Sequence, residues 1–545
     1  MLDLTFFTSN RVKLAHARYL AEGVPVRVKG FHERTYHATY NEPRLTSRRE
    51  LLEASYRSAV EQSRKAGLLT KRHFFILEDT SVSIAALSSD GREVPGLDIK
   101  YWMREATFSS LDASIRAAGG DRTATVRSDI VLHVPNEYKE RWGITDDYLI
   151  FVGEQRGTVV DKEVSFETNV VFPWLDNASF NKWFVPAGAN VPLGQLTLGD
   201  ARQFDFRRRS FETLFAFLES KGLLTKPAVQ KNLPLGSEKN FIVCGYTCAG
   251  KTTASQFLAA GFDYQHVEAS DFMYLSYYTR HDYQGQVSIG DFAEKALIIR
   301  PEIAAEKIAE FLEEDTERPS IVSGFRSPEE IRWLVDHFAS SGRQFQVVFV
   351  TADEVTRFGR MNDRRRGGDV HSLDEFRGRD LQQQRMGLDD IAAAEETSEW
   401  KNEGTLEAYY QVIEAAVGER RQPTPDVVTL IASLRDGPSV KLEDAILVTL
   451  LSRWKTDEGR DYFTTSEIAK LTAELLGSAR AKHKDNVSRY FNQLYYAFYE
   501  ITSDGGTRKY RLSNTGYGKA LRTLRRMTQK VTPSRSSRRE LSSGK

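Results

Sequence analysis

The sequence predicts a multidomain α/β protein, and three observations support this fold class. The chain has 545 residues, which is more than a single hydrophobic core ordinarily organises. Two long stretches alternate strand-like and helix-like segments, which is the pattern of α/β domains. A third stretch, over residues 441–527, is predicted to form three helices and a short hairpin. We therefore expect two α/β domains followed by a small α+β domain.

The composition excludes several classes of protein. Lysine plus arginine and aspartate plus glutamate both number 75, so the net charge of zero indicates no particular partner. The two cysteines, Cys244 and Cys248, lie in one loop, which excludes a disulfide framework and favours a reducing compartment. The first residues lack the features of a signal peptide, and no apolar run approaches the roughly 18 residues of a membrane span. We expect a cytoplasmic protein without a membrane segment.

The strongest motif is a phosphate-binding loop over Gly245–Thr252, which fits G-x-x-x-x-G-K-[ST]. An apolar strand precedes the loop and a helix follows it, as this motif requires. Glycines let backbone N–H groups converge on phosphate oxygens, Lys251 reaches the β and γ phosphates, and Thr252 joins the Mg²⁺ shell. The alternative is a glycine-rich turn with an exposed lysine. The residues expected to bind ATP and Mg²⁺ are Gly245, Ala249, Gly250, Lys251, Thr252 and Thr253.

Further motifs surround this loop in residues 239–420. They are Asp271 after the first helix, a strand followed by G-x-R-x-P-x-E over 320–330, an arginine cluster at 357, 360 and 364–366, and N-x-G-T-L over 402–406. Together they resemble the small P-loop nucleotide kinases, which include dephospho-coenzyme A kinase and adenylate kinase. The resemblance implies a parallel-sheet domain, ATP as phosphoryl donor, a nucleotide-like acceptor, and catalytic roles for Lys251, Asp271 and Arg364.

Some features leave alternatives open in this region. The second strand ends at Ser323 without a Walker B aspartate, so Mg²⁺ is expected to use Thr252 and another acid. The arginine cluster is also explained by a solvated basic helix face. Asp271 is also explained by helix capping.

The N-terminal stretch carries a second set of motifs. Thr8-Ser9-Asn10-Arg11-Val12-Lys13 follows the first strand, and Glu78-Asp79-Thr80-Ser81 follows a later one, before Pro95-Gly96 and Ile99-Lys100. In this order they resemble the inosine triphosphate pyrophosphatase family, which converts non-canonical purine nucleoside triphosphates to monophosphate and pyrophosphate. The resemblance implies a mixed-sheet domain in which Thr8, Asn10 and Lys13 hold phosphates. It also implies that Glu42 and Asp79 hold Mg²⁺ and that Asp79 is catalytic, with Glu78 as a neighbour able to share that work.

Purely structural roles also explain some of these residues, and the sequence departs from the family pattern at several positions. Asp79 is also explained as a strand-end turn residue, and Thr8 with Asn10 as a plain helix cap. The family's lysine on the second helix has its nearest counterpart in Arg57, and the acid of its D-P-x-F segment is replaced by Asn181. Its Ser-His-Arg segment becomes 207–209, all arginine. The base pocket is therefore remodelled, and purine specificity does not carry over.

The C-terminal stretch resembles a winged helix. Its predicted helices span 444–454, 465–476 and 482–497, and its hairpin turns at Asp504-Gly505-Gly506. Basic residues from Arg508 onward suit a nucleic-acid backbone, whereas winged helices also dock proteins. The winged-helix resemblance therefore leaves two uses open, which are binding of DNA or RNA and docking of a protein.

The predicted organisation is six segments: 1–222 pyrophosphatase-like, 223–238 linker, 239–420 kinase-like, 421–440 linker, 441–527 winged-helix-like and 528–545 disordered basic tail. The first hypothesis is an enzyme that hydrolyses a nucleoside triphosphate and phosphorylates a nucleotide-like acceptor. The second is a nucleotide-sensing, nucleic-acid-binding regulator or ATPase with one or both sites non-catalytic. A homodimer through the N-terminal domain is a further expectation.

Overall fold

A computed structural model describes residues 2–531 except 36–37, 46, 71, 90, 225–238, 282–286, 315–317, 365–371, 419–425, 433, 435–439, 455–460, 477–483 and 494. The chain divides into two compact units. The first contains 1–228 with 279–284, and the second contains 229–278 with 285–545. No helix among the described residues is both long enough and apolar enough to cross a bilayer.

The first unit is built on a mixed sheet. Its strands are β1 (Leu2–Phe6), β2 (Val26–Gly30), β3 (Phe74–Ile84), β4 (Pro95–Gly96), β5 (Thr123–His133), β6 (Leu149–Val159) and β7 (Phe184–Pro186). The order is β2-β1-β3-β5-β6-β7, with β4 beside β3. Strand β1 is parallel to its neighbours, whereas the pairs from β3 to β7 are antiparallel. The predicted mixed-sheet class is confirmed.

The helices of this unit cover the sheet. They are α1 (Arg11–Leu20), α2 (Phe31–Arg34), α3 (Arg48–Lys65), α4 (Ile99–Glu105), α5 (Phe108–Ala117), α6 (Asn136–Trp142), α7 (Leu198–Ala201) and α8 (Phe206–Ser220). Strand β3 begins with the apolar run Phe74–Leu77, whose side chains are buried in two core clusters. Such a run is expected for a strand with both faces covered. Because β3 continues to Ile84, Asp79 lies within the strand, and its interpretation as a turn residue is wrong.

The second unit contains a five-stranded, fully parallel sheet. Its strands are β8 (Asn240–Cys244), β9 (Gln265–Glu268), β10 (Ser320–Ser323), β11 (Phe345–Thr351) and β12 (Ser398–Lys401), in the order β12-β11-β8-β10-β9. The helices are α9 (Lys251–Gly261), α10 (Ala269–His281), α11 (Ile289–Ile299), α12 (Glu302–Glu313), α13 (Pro328–Ala339), α14 (Glu354–Arg364), α15 (Leu373–Arg385), α16 (Leu388–Ala393), α17 (Leu406–Val417) and α18 (Val427–Ala432). Ligands of parallel sheets bind at the carboxyl ends of the strands, which is where β8 leads into the phosphate loop.

The C-terminal part follows the predicted order of three helices and a hairpin. These are α19 (Leu442–Leu451), α20 (Thr465–Leu476), α21 (Lys484–Gln493), β13 (Tyr499–Asp504) and β14 (Thr507–Leu512). A further helix, α22 (Asn514–Val531), was not predicted, although buried Ala520, Leu521 and Leu524 have helical spacing. The rest of the predicted tail, from residue 532 onward, lies outside the described residues.

Several basic residues in the described C-terminal part form ion pairs with acids. Arg525 is buried and pairs with Asp263. Further pairs join Arg526 to Asp444, Lys519 to Glu443, Arg511 to Glu500 and Lys509 to Asp504. Each of these five cations therefore has an acidic partner.

Candidate functional site

A cavity of about 680 Å³ lies in the first unit, within the size range of small-molecule sites. Its wall combines apolar side chains with residues from the start of α1, the middle of β3 and the start of α8. The polar residues on the wall include Asn10, Lys13, Glu42, Glu78, Asp79, Asn181 and Arg207. The tertiary structure thus brings together four of the predicted phosphate and metal groups, which are Asn10, Lys13, Glu42 and Asp79.

Glu78 is the centre of a buried ionic cluster. Its Oε2 lies 3.1 Å from Nζ of Lys13, and its Oε1 lies 3.2 Å from Nε of Arg207. Burial alone would raise the pKa of Glu78, but the two cations hold that pKa below its usual range. Burial likewise opposes the charge on Lys13, yet Glu78 and Asp79 raise the pKa of its ammonium group. Both groups are therefore charged at neutral pH.

Asp79 has the opposite electrostatics although it is the next residue. Burial, assisted by the charge of Glu78, raises its pKa to about 6. Its Oδ1 accepts a hydrogen bond from the N–H of Thr80 at 3.0 Å, and among the described residues Oδ2 has no protein partner. Glu78 and Asp79 both line the cavity. Asp79 is the carboxylate able to take a proton near neutral pH.

The residues present fit a Mg²⁺ ion that relies on substrate for part of its coordination. Glu42 and Asp79 both line the cavity, and Glu42 Oε1 accepts from the hydroxyl of Thr8 at 3.4 Å. Within the described part of the chain, no three carboxylate, imidazole or thiolate groups converge on one point. Mg²⁺ commonly binds one or two carboxylates together with waters and substrate phosphates, and Glu42 and Asp79 are the two carboxylates on this wall that were predicted for that role.

Thr8 and Asn10 shape the start of α1. Oδ1 of Asn10 accepts from the N–H groups of Val12 and Lys13 at 2.9 and 3.2 Å, and Thr8 Oγ1 accepts from the N–H of Asn10 at 3.0 Å. The helix-cap interpretation is therefore correct as far as these contacts go. It does not exclude a phosphate role, because Asn10 also lines the cavity at the positive end of the helix.

The predicted departures from the family pattern have different outcomes in space. Arg57 does not replace the family's lysine, because its side chain is 80% exposed and lies 3.7 Å from Glu53. Helix α3 instead presents Leu51, Leu52 and Ser55 to the cavity. Arg57 is not among the residues that line the cavity.

Of the arginines at 207–209, Arg207 is the one on the cavity wall. Arg208 pairs with Glu212, and Arg209 donates to the backbone oxygen of Glu154. Asn181 lines the cavity, and its amide nitrogen lies 3.5 Å from a carboxylate oxygen of Asp176. Sequence reasoning missed Asp176, which precedes Asn181 by one loop and gives this wall an acid.

The phosphate loop in the second unit depends on two glycines. Gly245 has φ +142°, and a Cβ there would lie 2.6 Å from the carbonyl oxygen of Val350. Gly250 has φ +116°, and a Cβ there would lie 2.2 Å from Nδ2 of Asn402. Lys251 begins α9, and its ammonium group donates to the carbonyls of Gly245 and Tyr246 at 2.6 and 2.8 Å. Burial lowers the pKa of Lys251 to about 8.

Glu268 is the acid beside the phosphate loop that the sequence did not identify. Its Oε2 accepts from Ser323 Oγ at 2.8 Å and from Thr252 Oγ1 at 3.4 Å. Glu268 ends β9 and is the register partner of Ser323 in β10. Glu268 is thus an acid beside Thr252 that comes from the adjacent strand, and the two residues fit a Mg²⁺ ion bound mainly through phosphates. Burial raises the pKa of Glu268.

Two arginines of the predicted cluster, Arg357 and Arg360, donate hydrogen bonds to backbone carbonyls of the phosphate loop. Arg357 is buried, lies 2.7 Å from Asp380, and donates to the carbonyl of Thr247. Arg360 donates to the carbonyl and the side-chain oxygen of Asn402, whose Nδ2 donates to the carbonyl of Ala249 at 2.7 Å. A solvated helix face is therefore wrong for both arginines. The side chain of Arg364 and all of 365–371 lie outside the described residues.

Asp271 faces the C-terminal helix. Its Oδ2 accepts from the N–H of Thr515, in the first turn of α22, at 2.9 Å. Burial, together with the charge of Glu268, raises its pKa to about 8. Asp271 therefore caps a helix, but this is α22 and not its own helix α10. Thr253 is half-buried in the first turn of α9, and Ala249 is buried.

Comparisons with known proteins divide the chain in the same way. Residues 4–217 match the Ham1 family, and residues 244–377 match an AAA domain. A UPF0200 protein from Methanopyrus kandleri is 33% identical over 107 residues, covering 18% of this chain and 54% of that protein. The chain thus spans about half the length of the curated relatives that it matches.

Two solved structures are similar to parts of the chain. A HAM1 protein from Coxiella burnetii is 20% identical, covers 40% of this chain and 100% of its own, and has a TM-score of 0.29. A gluconokinase from Sinorhizobium meliloti is 16% identical, covers 33% of this chain and 91% of its own, and has a TM-score of 0.24. From the family matches, the chain carries a Ham1-like domain over 4–217 followed by a P-loop, kinase-like domain that includes 244–377.

Proposed function

We propose that the protein is a nucleotide-metabolising enzyme with two reactions. The Ham1-like domain hydrolyses a nucleoside triphosphate to monophosphate and pyrophosphate with Mg²⁺. The P-loop domain transfers the γ-phosphoryl group of ATP to a nucleotide-like acceptor. The observation that carries the proposal is Asp79, a proton-accepting carboxylate beside the charged Lys13 on the wall of a nucleotide-sized cavity.

In the first reaction, Asp79 would accept a proton from a water molecule whose oxygen attacks the α phosphorus. The bond from the α phosphorus to the bridging oxygen breaks, and pyrophosphate leaves. Lys13 and the N-terminal end of α1 would hold the phosphates. A Mg²⁺ ion held by Glu42 and the substrate phosphates would neutralise phosphate charge and would leave the Asp79 carboxylate available for the proton. Glu78 keeps Lys13 charged and in place, so it acts through that neighbour.

In the second reaction, the loop amides and Lys251 would hold the β and γ phosphates. The acceptor oxygen attacks the γ phosphorus, and ADP leaves. Such a transfer is catalysed mainly by position and by charge stabilisation. Thr252 and Glu268 are the residues that would hold Mg²⁺ here.

The two reactions must act on different substrates. One produces nucleoside monophosphates and the other consumes a nucleotide-like acceptor, so acting on one pool they would cycle and waste ATP. We expect breakdown of one nucleotide and phosphorylation of another, or of a modified one.

A substrate panel with two variants tests this proposal. Purified protein is given Mg²⁺ with single nucleoside or deoxynucleoside triphosphates, and pyrophosphate is followed. Separately it is given ATP with single monophosphates, and ADP is followed. Asp79→Ala should abolish only the first activity, and Lys251→Ala only the second. The proposal is refuted if Asp79→Ala keeps the first activity and Lys251→Ala keeps the second.

The second candidate is a nucleotide-sensing regulator. This alternative is favoured by Asp271, which was expected to be catalytic. Its carboxylate accepts a hydrogen bond from the backbone N–H of Thr515 in the C-terminal helix. A wild-type protein that binds ATP, turns over neither substrate class and shifts DNA in a nucleotide-dependent way would establish this alternative.

A further inference from the structure

Thr515, a buried threonine in the C-terminal helix, forms hydrogen bonds with Glu268 and Asp271 of the phosphate-loop domain. The hydroxyl of Thr515 accepts from the backbone N–H of Glu268 at 2.9 Å. The N–H of Thr515 donates to Oδ2 of Asp271 at 2.9 Å, and its side chain also hydrogen-bonds that carboxylate. Thr515 has no exposed surface. Its donor and acceptor capacity is thus divided between two residues of one strand–helix junction.

The sequence around Thr515 is suited to this close approach. A Cβ at Gly518 would lie 3.0 Å from Cβ of His266 in β9, and a Cβ at Gly516 would lie 2.0 Å from the carbonyl oxygen of Phe498. The buried pair of Arg525 with Asp263 ties the same helix to the start of the strand. Helix α22 is therefore held along β9 at several points, and Thr515 is its contact with Glu268, the last residue of that strand.

The contact continues to the loop itself. Glu268 accepts from Ser323 at 2.8 Å and from Thr252, the loop threonine, at 3.4 Å. A shift of the backbone at Glu268 would move the carboxylate relative to Thr252. Because phosphoryl transfer depends on the placement of such charges to within a fraction of an ångström, the anchor of this backbone affects the reaction.

We propose that Thr515 is a positioning residue for phosphoryl transfer, which places the C-terminal helix within the functional P-loop site. Thr515 acts through Glu268 and does not touch the nucleotide. The C-terminal part is then required for the kinase-like activity in cis, whatever else it binds. This inference rests on the proposed phosphoryl-transfer function.

The experiment compares three full-length variants. Thr515→Val removes the hydroxyl at nearly constant volume, and Thr515→Ser restores it. Thr528→Val is the matched control, because Thr528 lies on the same helix and its hydroxyl donates to the backbone of that helix, at Leu524 and Arg525. Hydrogen exchange of peptides covering 265–271 is measured without nucleotide, and kcat and KM are measured with ATP and the acceptor found in the substrate panel.

Thr515→Val should exchange faster at the Glu268 amide and lose roughly 10-fold in kcat, with KM for ATP within about two-fold of wild type. Thr515→Ser should recover both properties, and Thr528→Val should change neither. Unchanged exchange in Thr515→Val, or faster exchange with a kcat equal to that of Thr528→Val, would overturn the inference. If Thr515→Val does not fold, Thr515→Ala, which also lacks the hydroxyl, takes its place under the same criteria.

Failure of the proposed function has a different signature. If wild type transfers no phosphoryl group, or Lys251→Ala transfers it equally well, the proposed function fails and the inference with it. If wild type is active, Lys251→Ala is inactive and Thr515→Val matches its control, the inference alone fails.

Discussion

The ammonium group of Lys13 lies 3.1 Å from the carboxylate of Glu78, beneath the cavity of the Ham1-like domain. The side chain of Glu78 is fully buried, and Lys13 is 15% exposed. The pair gives adjacent acids opposite properties, since the pKa of Glu78 is held low by its cations while burial raises that of Asp79 to about 6. This difference between the two pKa values indicates a structural role for Glu78 and a proton-transfer role for Asp79.

Glu78→Gln should destabilise the Ham1-like domain by about 3 kcal/mol, because it leaves Lys13 and Arg207 without their buried counter-charge. Urea unfolding followed by circular dichroism measures this change. Glu61→Gln is the control, since Glu61 pairs with Lys65 on an exposed face of α3 and should leave the midpoint unchanged. Equal midpoints for the two variants would show that the buried pair adds no stability.

Pyrophosphate release should depend on pH through Asp79. A base must be ionised, and burial raises the pKa of Asp79 to about 6, so kcat/KM should fall roughly tenfold per pH unit below that value and level off above it. Asp79→Asn should abolish the activity. Asp161→Asn, whose side chain is 88% exposed in wild type, should retain the whole profile. A wild-type rate that is flat between pH 5 and pH 7 would contradict a base role for Asp79.

Gly250→Ala should weaken ATP binding about 10- to 100-fold. The new Cβ would meet Nδ2 of Asn402 at 2.2 Å, and the backbone has φ +116°, for which a strain of about 1–3 kcal/mol is typical. Titration calorimetry with a non-hydrolysable ATP analogue measures the affinity. Gly359→Ala, where an added Cβ meets nothing within 4 Å, serves as the control. Equal affinities would mean that the loop tolerates this substitution.

The Ham1-like domain should lose stability as the pH falls below 6.5. Burial lowers the pKa of His73 to about 4 and that of His133 to about 3. An unfolded histidine binds a proton below about 6.5 while these folded ones stay neutral, so each costs about 2 kcal/mol at pH 5 relative to pH 7. His133→Gln should reduce the stability difference between pH 7 and pH 5 by about that amount in urea unfolding. An unchanged difference would contradict the neutral, buried state of His133.

The phosphate loop could be predicted because the residues that form it are close together in the sequence. The pattern Gly245–Thr252, the apolar strand before it and the helix after it lie in one continuous segment, and the observed elements agree. The two resemblances are confirmed as a Ham1-like domain over 4–217 and a P-loop, kinase-like domain that includes 244–377, because their motifs keep order and spacing along the chain. The winged-helix assignment remains a prediction. Helix α22 was missed because its basic composition concealed an apolar face.

The functional surroundings were less predictable, because they depend on residues far apart in sequence. Glu268 precedes Ser323 by 55 positions, and the two meet because β9 and β10 pair in parallel. The sequence allows catalysis or helix capping for Asp271, and the helix that it caps contains Thr515, 244 positions away. Charge counts cannot tell a solvated arginine from one paired inside the fold, as Arg357 is.

The sequence by itself determined the chemistry that must be local: a loop that curls on glycines, a lysine at the start of a helix, and neighbouring acids in a strand. Backbone geometry and hydrogen bonding over a few residues are sufficient for these features. Only the tertiary structure decided which acid is charged, which cation faces the cavity and which threonine anchors Glu268. Burial and the distance between charges set those properties, and both arise when distant segments pack together.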